Sequence, residues 1–355
     1  MNKTLYTVGP VEMFPDTLET GGKQLPYFRN EEFSAITLAC EKDILALAGA
    51  PEGSRALFLT CSGTGGMEAA IINVLDRDKK ALYLRGGTFG ERFGEICADV
   101  GMDCDPVSLE PGKVLPSGAL AGTRLSDYDA LLVNACETST GVLYDLDDLG
   151  KACARSGILF VVDAISAFLC DRIDMCAMGI DVLILASQKA LALAPGLSVL
   201  VLSPRALERA AKARPGSHYF GLGRYLLDGL RGQTPFTPAV GTILQMRARL
   251  DAVVPLGAEA LVRRAGTLAR HFRESIGGLP FGLFADRPSN ALSALCPQNG
   301  RSAYSIYQRL KDEYDLVVTP NGGALRDRVF RVGHMGNMTE AKLDLVAAAL
   351  REVAR

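Results

Sequence analysis

The chain has 355 residues, of which 48% are hydrophobic and 22% are charged, and its formal net charge at pH 7 is −2. This composition predicts a soluble globular protein with room for one large and one smaller domain. Lysine and arginine are scattered rather than clustered, so the basic stripe typical of nucleic-acid-binding proteins is missing, and no nucleic-acid partner is expected.

The cysteines and the apolar segments indicate the cellular compartment of the protein. The nine cysteines have no Cys-x-x-Cys spacing, and most lie in apolar runs. This predicts reduced, mostly buried thiols of a cytoplasmic protein, with no metal site. The first fifteen residues lack the apolar core of a secretory signal. The most apolar stretch, 190–202, is short and contains Pro195 and Gly196, so no membrane span is predicted.

Short apolar runs alternate with amphipathic stretches from residue 56 to residue 202. The apolar runs predict buried strands, at 56–59, 81–84, 130–133, 158–162, 182–185 and 198–202. The stretches between them predict helices, at 67–75, 90–100, 146–156 and 175–178. Because parallel neighbours need a crossover connection, this alternation predicts an α/β domain with a mostly parallel sheet.

The pattern changes in residues 215–238, which are rich in Gly, Pro and Thr. The remaining sequence predicts a small α+β unit, with helices at 241–275, 303–312 and 339–353 and strands at 290–296, 316–319 and 328–332. We therefore expect a large α/β domain in residues 1–250 and a small α+β domain in residues 251–355. The N-terminal segment is expected to contribute to the active site.

Polar residues follow several of the predicted strands, and open α/β sheets bind ligands beyond the carboxyl ends of their strands. The first strand leads into Ser62-Gly-Thr-Gly-Gly, a loop that can hold a phosphate at a helix N-terminus. Taken alone, a glycine-rich helix cap explains this loop as well. The third strand leads into Glu137-Thr-Ser-Thr-Gly, whose hydroxyl groups either cap a turn or contact a ligand.

Asp163 and Lys189 follow two successive buried strands. A buried carboxylate needs a cationic or hydrogen-bonding partner, although Asp163 could instead cap a helix. A lysine in a closed site has a lowered pKa that suits covalent chemistry, although a surface lysine is the simpler alternative. Together, a phosphate loop, a carboxylate and a lysine are the parts that pyridoxal 5′-phosphate (PLP) requires. Lys189 would hold the cofactor as a Schiff base, and Asp163 would keep its ring nitrogen protonated.

The sequence resembles the class V, fold-type I PLP-dependent aminotransferases. The resemblance extends from Thr7-Val-Gly-Pro-Val to Phe330-Arg-Val-Gly-His-Met-Gly, and the order and spacing of the motifs carry it. The chain is most similar to the alanine–glyoxylate/serine–pyruvate branch and to 2-aminoethylphosphonate–pyruvate aminotransferase. The expected fold is therefore a large domain with a mostly parallel sheet and a smaller C-terminal α+β domain.

The resemblance implies residues for both ends of the cofactor. Ser62, Gly63 and Thr64 match the residues that bind the phosphate. Thr237, in Thr234-Pro-Phe-Thr-Pro, matches a residue that reaches the phosphate of a neighbouring subunit, which implies a homodimer with active sites at the interface.

The resemblance also implies residues around the ring and the substrate. Phe89 and Ile165 would pack on opposite faces of the ring, and Thr138 would lie near the ring hydroxyl. Gln188 would contact the cofactor beside the lysine, and Arg331 would bind the substrate carboxylate.

Two positions depart from the family pattern. Ala135 stands where relatives often have His, and Thr234 stands where the alanine–glyoxylate branch often has Tyr. Neither position belongs to the Lys189–Asp163 pair.

Two aminotransferase reactions fit this resemblance. In the first, a small amino donor such as alanine or serine transfers its amino group to glyoxylate or pyruvate, and Lys189 serves as anchor, general base and general acid. In the second, the donor is 2-aminoethylphosphonate. A phosphonate would need a second cation, for which the candidates are Arg29, Arg85, Arg92 and Arg326.

Two further functions are alternatives. A cysteine desulfurase or related PLP lyase usually has His before the lysine and a reactive cysteine on a mobile C-terminal loop, whereas this chain has Gln188 and Cys296. A non-enzymatic relative that kept the fold would have lost Lys189 or Asp163, and both are present.

Overall fold

The N-terminal segment, for which the sequence predicted no element, is ordered around one strand and two helices in the computed structural model, which describes residues 3–354. These elements are β1 (Thr4–Leu5), α1 (Pro15–Gly21) and α2 (Glu31–Leu47). Asn30 begins α2, because its side chain accepts a hydrogen bond of 2.8 Å from the N–H of Phe33.

The central strands are those of the large sheet and of one two-stranded ribbon, formed by β6 and β7. In chain order they are β2 (Arg55–Leu59), β3 (Lys80–Arg85), β4 (Cys104–Ser108), β5 (Tyr128–Asn134), β6 (Cys136–Glu137), β7 (Val142–Leu143), β8 (Leu159–Asp163), β9 (Val182–Ala186) and β10 (Ser198–Leu202). The order in the large sheet is β2-β10-β9-β8-β5-β3-β4, and only β10 runs antiparallel to its neighbours. The predicted α/β fold with a mostly parallel sheet is therefore confirmed.

All six predicted strands of this region are present, but β4 was not predicted. Its sequence, Cys-Asp-Pro-Val-Ser, lacks an apolar run because it lies at the sheet edge, where one side is open to solvent. Pro106 is tolerated there since an edge strand leaves some N–H groups unpaired.

Helices cover both faces of the sheet. Those that follow β2 to β10 are α3 (Gly63–Val74), α4 (Thr88–Asp99), α5 (Leu146–Ser156), α6 (Met175–Met178), α7 (Pro204–Lys212) and α8 (Leu222–Gly229). The alternation of side chains along β8 fills two cores, with Phe160 and Val162 on one face and Leu159 and Val161 on the other. Burial on both faces explains why the parallel strands are apolar throughout.

The helix predicted over residues 241–275 is two helices, α9 (Val240–Val253) and α10 (Ala258–Ser275). A short 3-10 turn at residues 254–256 separates them. Pro255 has no N–H to continue the helix, and Gly257 has a φ of 76°, in the left-handed region. The prediction of one continuous helix was wrong because these two residues end α9 and start a new helix.

The C-terminal part forms a four-stranded sheet, in the order β11-β12-β15-β14, covered by helices. Its elements, together with β13, which pairs with β1, are β11 (Phe281–Leu283), β12 (Leu292–Pro297), α11 (Ala303–Glu313), β13 (Leu316–Val317), β14 (Thr319–Pro320), β15 (Phe330–Gly333) and α12 (Glu340–Val353). The domain boundary at residue 250 stays a prediction, and α9 continues three residues beyond it, to Val253.

None of the helices within residues 3–354 is both long enough and apolar enough to cross a membrane.

Gly150 tests the packing of α5 on α6. A Cβ at this position would collide with the backbone carbonyl of Met178, which cannot move aside as a flexible side chain would. We expect Gly150→Ala to lower the free energy of unfolding by about 1–3 kcal/mol, the usual cost of overpacking. Urea unfolding of the purified protein, followed by circular dichroism, measures this loss.

Gly223→Ala is the matched control, because Gly223 is also helical and a Cβ there would meet no atom within 4 Å. It should leave stability unchanged or raise it by up to about 1 kcal/mol through helix propensity. Equal effects of the two substitutions would contradict the close approach of α5 and α6.

Candidate active site

Asp163 and Lys189 lie at the same edge of the large sheet. Asp163 is the last residue of β8, and Lys189 follows the end of the parallel neighbour β9 by three residues. Their exposed fractions are only 6% and 8%. The sheet register therefore brings a buried carboxylate and a buried amine to one site, as the sequence predicted.

The N-terminal segment closes around the lysine. The amine of Lys189 donates a hydrogen bond of 2.6 Å to the carbonyl oxygen of Val8. Gly9 lies against the same side chain, and a Cβ there would be 2.7 Å from Cε of Lys189. Burial lowers the pKa of Lys189 to about 8, while the nearby Asp163 opposes this shift and Arg331 adds to it. A substantial fraction of the amine is therefore neutral near physiological pH.

The carboxylate of Asp163 has few partners for a buried charge. One oxygen accepts a hydrogen bond of 2.8 Å from the N–H of Ile165. Burial raises the pKa of Asp163 to about 6, and the hydrogen bond from Ile165 and the charge of Lys189 limit the rise. A cationic N–H placed beside this oxygen pair would stabilise the ionised carboxylate, which is what a protonated pyridine ring provides.

Glu137 is a buried carboxylate whose partners are all supplied by the chain. Its exposed fraction is 0%. One oxygen accepts from the N–H of Gly90 at 2.8 Å and from the side-chain amide of Asn134 at 2.7 Å. The other accepts from the N–H of Ser139 at 3.0 Å and from its hydroxyl at 2.5 Å, with a longer contact of 3.4 Å to the N–H of Phe89. Glu137 therefore fixes the first turn of α4, which carries the Phe89 ring.

Arg331 is a buried guanidinium without a carboxylate partner among residues 3–354. It lies in β15 with an exposed fraction of 7%. Its Nη1 donates to the carbonyl oxygen of Thr138 at 3.1 Å and its Nη2 to that of Pro320 at 2.7 Å, while the buried Nε has no partner. Burial lowers the pKa of Arg331 to about 10, and Glu137 opposes this shift. A buried guanidinium that lacks a carboxylate partner is suited to binding a carboxylate with parallel hydrogen bonds.

The predicted phosphate loop starts α3. Ser62 precedes the helix, is exposed, and makes no capping hydrogen bond with its side chain. The helix then begins with Gly63-Thr64-Gly65, whose N–H groups belong to the first turn and have no partner within the helix. This arrangement favours an anion.

The ring residues lie beside this loop. The side chain of Ile165 touches Gly63 so closely that a Cβ at Gly63 would collide with it. The guanidinium of Arg92 lies 4.9 Å from the centre of the Phe89 ring and donates a hydrogen bond of 3.3 Å to the hydroxyl of Thr64. Ile165 therefore contacts the loop directly, and Arg92 connects Phe89 to it.

The remaining predicted residues are Thr138, Gln188 and Thr237, and only Thr237 lies apart from the others. The hydroxyl of Thr138 lies 2.7 Å from that of Ser166, and both are buried at the sheet edge. Gln188 has a buried side-chain oxygen with no partner, which a ligand could supply. Thr237 is exposed, and no contact joins its side chain to the other predicted residues. The structure thus brings together every predicted site residue except Thr237.

The two departures from the family pattern have simple local roles. Ala135 uses its backbone N–H to donate a hydrogen bond of 2.8 Å to the carbonyl oxygen of Asp163. The hydroxyl of Thr234 donates to the carbonyl oxygen of Phe236 at 2.6 Å. Neither side chain contacts Lys189 or the carboxylate of Asp163.

Two contributors to the site were not predicted individually. The carbonyl of Val8 is 181 residues from Lys189 along the chain, and a backbone contact of this kind leaves no mark in a sequence. Glu137 was noticed only as the first residue of a hydroxyl-rich motif. Its position three residues beyond the end of the buried strand β5 was the available indication.

The groups of this site that lack a full set of partners match the groups of PLP. They are an N-terminal helix turn for the phosphate, a carboxylate with a single hydrogen bond for the ring nitrogen, and a lysine of lowered pKa for covalent attachment. The unpaired Nε of Arg331 and the oxygen of Gln188 add a carboxylate site and one acceptor.

A family model described as aminotransferase class V matches residues 25–311. The chain therefore belongs to the class-V aminotransferases, and it is a PLP-dependent transaminase of fold type I. It is 31% identical to the small subunit of a soluble hydrogenase from a Synechococcus species, over 98% of this chain and 92% of that protein. It is 30% identical to L-aspartate–glyoxylate aminotransferase of Paracoccus denitrificans, over 79% of this chain and 73% of that protein. The solved structure of an aspartate aminotransferase from Thermus thermophilus superimposes with a TM-score of 0.91 at 29% identity, covering 99% and 98% of the two chains.

The pKa of Lys189 leads to a test of its environment. Only the neutral amine can form the covalent bond to PLP, so the second-order rate of attachment to the apoenzyme should rise about tenfold per pH unit below the pKa of about 8 and level off above it. Stopped-flow absorbance between neutral and alkaline pH measures this rate.

Free Nα-acetyl-lysine, whose ε-amine is unmodified, is the control. The rate of its reaction with PLP should continue to rise towards a pKa of about 10.4. An inflection of the protein's rate at that higher value would show that Lys189 is solvated rather than buried.

Proposed function

We propose that this transaminase moves an amino group from a small donor of the alanine or serine type to glyoxylate or pyruvate. The observation that carries this proposal is Arg331, a buried guanidinium that forms no ion pair with a carboxylate of residues 3–354. Amino acids and keto acids share one carboxylate, and a two-pronged contact with Arg331 would orient either of them. The glyoxylate named for the Paracoccus relative supports the choice of acceptor.

The proposed cofactor residues divide the work of holding PLP. Ser62, Gly63 and Thr64 would bind the phosphate, and Gln188 would accept a hydrogen bond beside Lys189. PLP itself acts as an electron sink for the bond that breaks at the substrate.

Four residues would orient the cofactor ring. Phe89 and Ile165 would pack on its two faces, with Phe89 held by Glu137, and Thr138 would bind the ring hydroxyl. Asp163, as an ionised partner, would keep the ring nitrogen protonated.

Lys189 would hold the cofactor and move the proton. Since its pKa is lowered to about 8, Nζ can accept a proton near neutral pH and return it without a large free-energy difference. The hydrogen bond from Nζ to the carbonyl of Val8 orients the amine. The buried surroundings exclude water, which would otherwise compete for the same proton.

A second candidate donor presents an acidic group other than an α-carboxylate, namely the phosphonate of 2-aminoethylphosphonate or the side-chain carboxylate of aspartate. The observation in its favour is Arg92, which, of the four arginines considered, contacts both Thr64 and Phe89. The other three are engaged elsewhere: Arg29 with the carbonyl of Thr234, Arg85 with Ser108, and Arg326 with Tyr304. Aspartate is named for two of the similar proteins, which supports including it as a donor.

The lyase alternative has no support in the geometry around its candidate cysteine. Cys296 lies within β12, where it pairs with Gly282 of β11, rather than on a loop near Lys189. Gln188 occupies the position before the lysine where desulfurases usually have His.

We also propose a homodimer, with Thr237 of each chain completing the phosphate site of the other. The support is a group of exposed apolar side chains on neighbouring segments, Tyr27 at 70%, Leu227 at 71% and Leu230 at 69% exposure. Arg29 joins these segments by a hydrogen bond of 2.7 Å to the carbonyl of Thr234. Sedimentation equilibrium of the holoenzyme should give twice the chain mass of 37.9 kDa, and a monomer would refute this assembly.

The expected location is the cytoplasm, and it stays a proposal. All nine cysteines are free, which is consistent with a reducing compartment. A fusion to a fluorescent protein in the native host would locate the chain.

A donor screen tests the proposed reaction. The purified holoenzyme is incubated with alanine, serine, aspartate, 2-aminoethylphosphonate or cysteine, each with glyoxylate and with pyruvate, and products are identified by mass spectrometry. Turnover of alanine or serine supports the first proposal, whereas turnover of only aspartate or the phosphonate supports the second. Release of sulfide from cysteine without amino transfer would refute both. Borohydride reduction followed by peptide mapping should place the cofactor mass on Lys189.

Arg331→Lys tests the carboxylate site. A lysine keeps the charge but cannot make two parallel hydrogen bonds, so kcat/KM for glyoxylate and pyruvate should fall about 10-fold or more, or roughly 1.4 kcal/mol. The loss should appear with every amino donor, because every acceptor carries this carboxylate. Steady-state kinetics measure it, and the visible spectrum of bound PLP should be retained.

Arg328→Lys is the matched control, since Arg328 is exposed and precedes the same strand by two residues. Its kcat/KM should be unchanged. A loss in Arg331→Lys that is confined to one donor would mean that Arg331 binds a group peculiar to that donor.

A further inference from the structure

A small cavity is lined in part by the two loops that follow Lys189 and Arg331. Its volume is about 50 Å³. Apolar side chains form most of its wall, contributed by Leu169, Leu191, Val253, Leu261, Leu268 and Met335. None of the residues assigned to the cofactor or the substrate lines it. The polar groups that do are Arg249, His334 and, nearer to solvent, Arg264.

Arg249 is a buried charge without an ion-pair partner in the described part of the chain. Its exposed fraction is 9%, and its buried Nε–H has no hydrogen-bond acceptor. The guanidinium lies 3.6 Å from the centre of the Phe14 ring, which offers only its face. Asp16 is the acidic group that acts on Arg249, but it is exposed and already accepts a hydrogen bond from Thr17. An uncompensated buried guanidinium is costly, so an anion beside it would stabilise the fold.

His334 offers the opposite kind of group to the same cavity. Its exposed fraction is 2%. Nδ1 lies 3.1 Å from the carbonyl oxygen of Asn290, which can only accept, so Nδ1 carries the proton. Burial lowers the pKa of His334 to about 3, and the ring is therefore neutral. Nε2 is then a buried acceptor, and it has no donor.

A ligand that satisfies both groups must accept a hydrogen bond at one end and donate one at the other. Negative charge is needed to match Arg249, whereas an O–H group is needed to match the lone pair of His334. A water molecule has the donor and the acceptor but leaves the guanidinium uncompensated. A cavity holds one water at about 10–15 Å³, so a volume of about 50 Å³ has room for a small anion.

We propose that this cavity is a binding site for a small oxyanion that carries one hydroxyl group, of which bicarbonate is the simplest example. Nε–H of Arg249 donates to a charged oxygen, and the hydroxyl of the anion donates to Nε2 of His334. Arg264, whose Nη2 donates to the carbonyl oxygen of Met338 at 3.1 Å, adds positive charge at the entrance.

The experiment compares bicarbonate with nitrate, a planar anion of the same charge and similar size that has no hydroxyl group. The thermal unfolding midpoint of the holoenzyme is followed by calorimetry over a millimolar range of each sodium salt, at one fixed pH and constant ionic strength. The holoenzyme is used because its Lys189 is occupied by PLP and cannot form a carbamate. Bicarbonate should raise the midpoint progressively with concentration, as a ligand of the native state does, and nitrate should not.

Two substitutions and one control assign the effect to the cavity. Arg249→Met removes the charge and should abolish the rise with bicarbonate. Arg249→Lys keeps the charge but loses the fixed Nε–H, and it should weaken binding about 10-fold, as expected for one hydrogen bond to a charged group. The lysine variant also decides the question if the methionine variant fails to fold. Arg331→Lys is the control, since it changes the other unpaired buried guanidinium, and it should retain the full rise.

Each other outcome overturns the proposal. No rise with bicarbonate, or an equal rise with nitrate, would show that the cavity holds only water or that salt acts nonspecifically. A rise that persists in both Arg249 variants would place the anion elsewhere, and a rise lost in Arg331→Lys would place it in the active site.

Discussion

The structure depends on how charged groups are buried at one edge of a parallel sheet. Burial removes each group from water, so every charge at this edge must find a partner in the chain or in a ligand. Glu137 is completely partnered, because backbone and side-chain donors of α4, β5 and the following turn converge on it. Asp163, Lys189 and Arg331 have fewer partners, and these are the groups that we propose bind the cofactor and the substrate. The fully hydrogen-bonded Glu137 therefore stabilises the architecture, whereas the incompletely partnered groups remain available to a ligand.

The sheet register makes this arrangement possible with few residues. β5, β8 and β9 are adjacent and parallel, so three successive strand ends deliver Asn134, Asp163 and the loop of Lys189 to one place. Arg331 comes from the C-terminal sheet, where its neighbours in register are Ala294 and Thr319. The proposed site is thus built from two sheets, and their relative position would set the distance between the substrate carboxylate and the reacting amine. The hydrogen bond from Nη1 of Arg331 to the carbonyl oxygen of Thr138 joins the C-terminal sheet to the segment that follows β5, and it helps to fix this relative position.

Much of the fold and the centre of the site could be predicted from the sequence, because their causes are local. A buried parallel strand is apolar throughout, so Asp163 and Lys189 stood out at the ends of such runs. β4 could not be found in this way, since an edge strand is half solvated and carries Asp105 and Pro106. The break at Pro255 and Gly257 was visible but was outweighed by the apolar periodicity on either side. The contact of Val8 with Lys189 depends on two segments far apart in sequence, and the cavity beside Arg249 depends on which atoms lack partners. Neither is encoded in a local pattern.

The N-terminal segment has a consequence for motion within the molecule. β1 pairs with β13, Tyr6 accepts a hydrogen bond of 2.8 Å from the N–H of Gly333, and two residues later Val8 receives the amine of Lys189. This short segment is therefore a mechanical link between the C-terminal sheet and the amine. A rotation of that sheet would change the distance from the amine to the carbonyl of Val8, and with it the proton affinity of Lys189. Because a hydrogen bond to a carbonyl oxygen favours the protonated amine, the position of that sheet and the charge state of Lys189 would then be reciprocally linked.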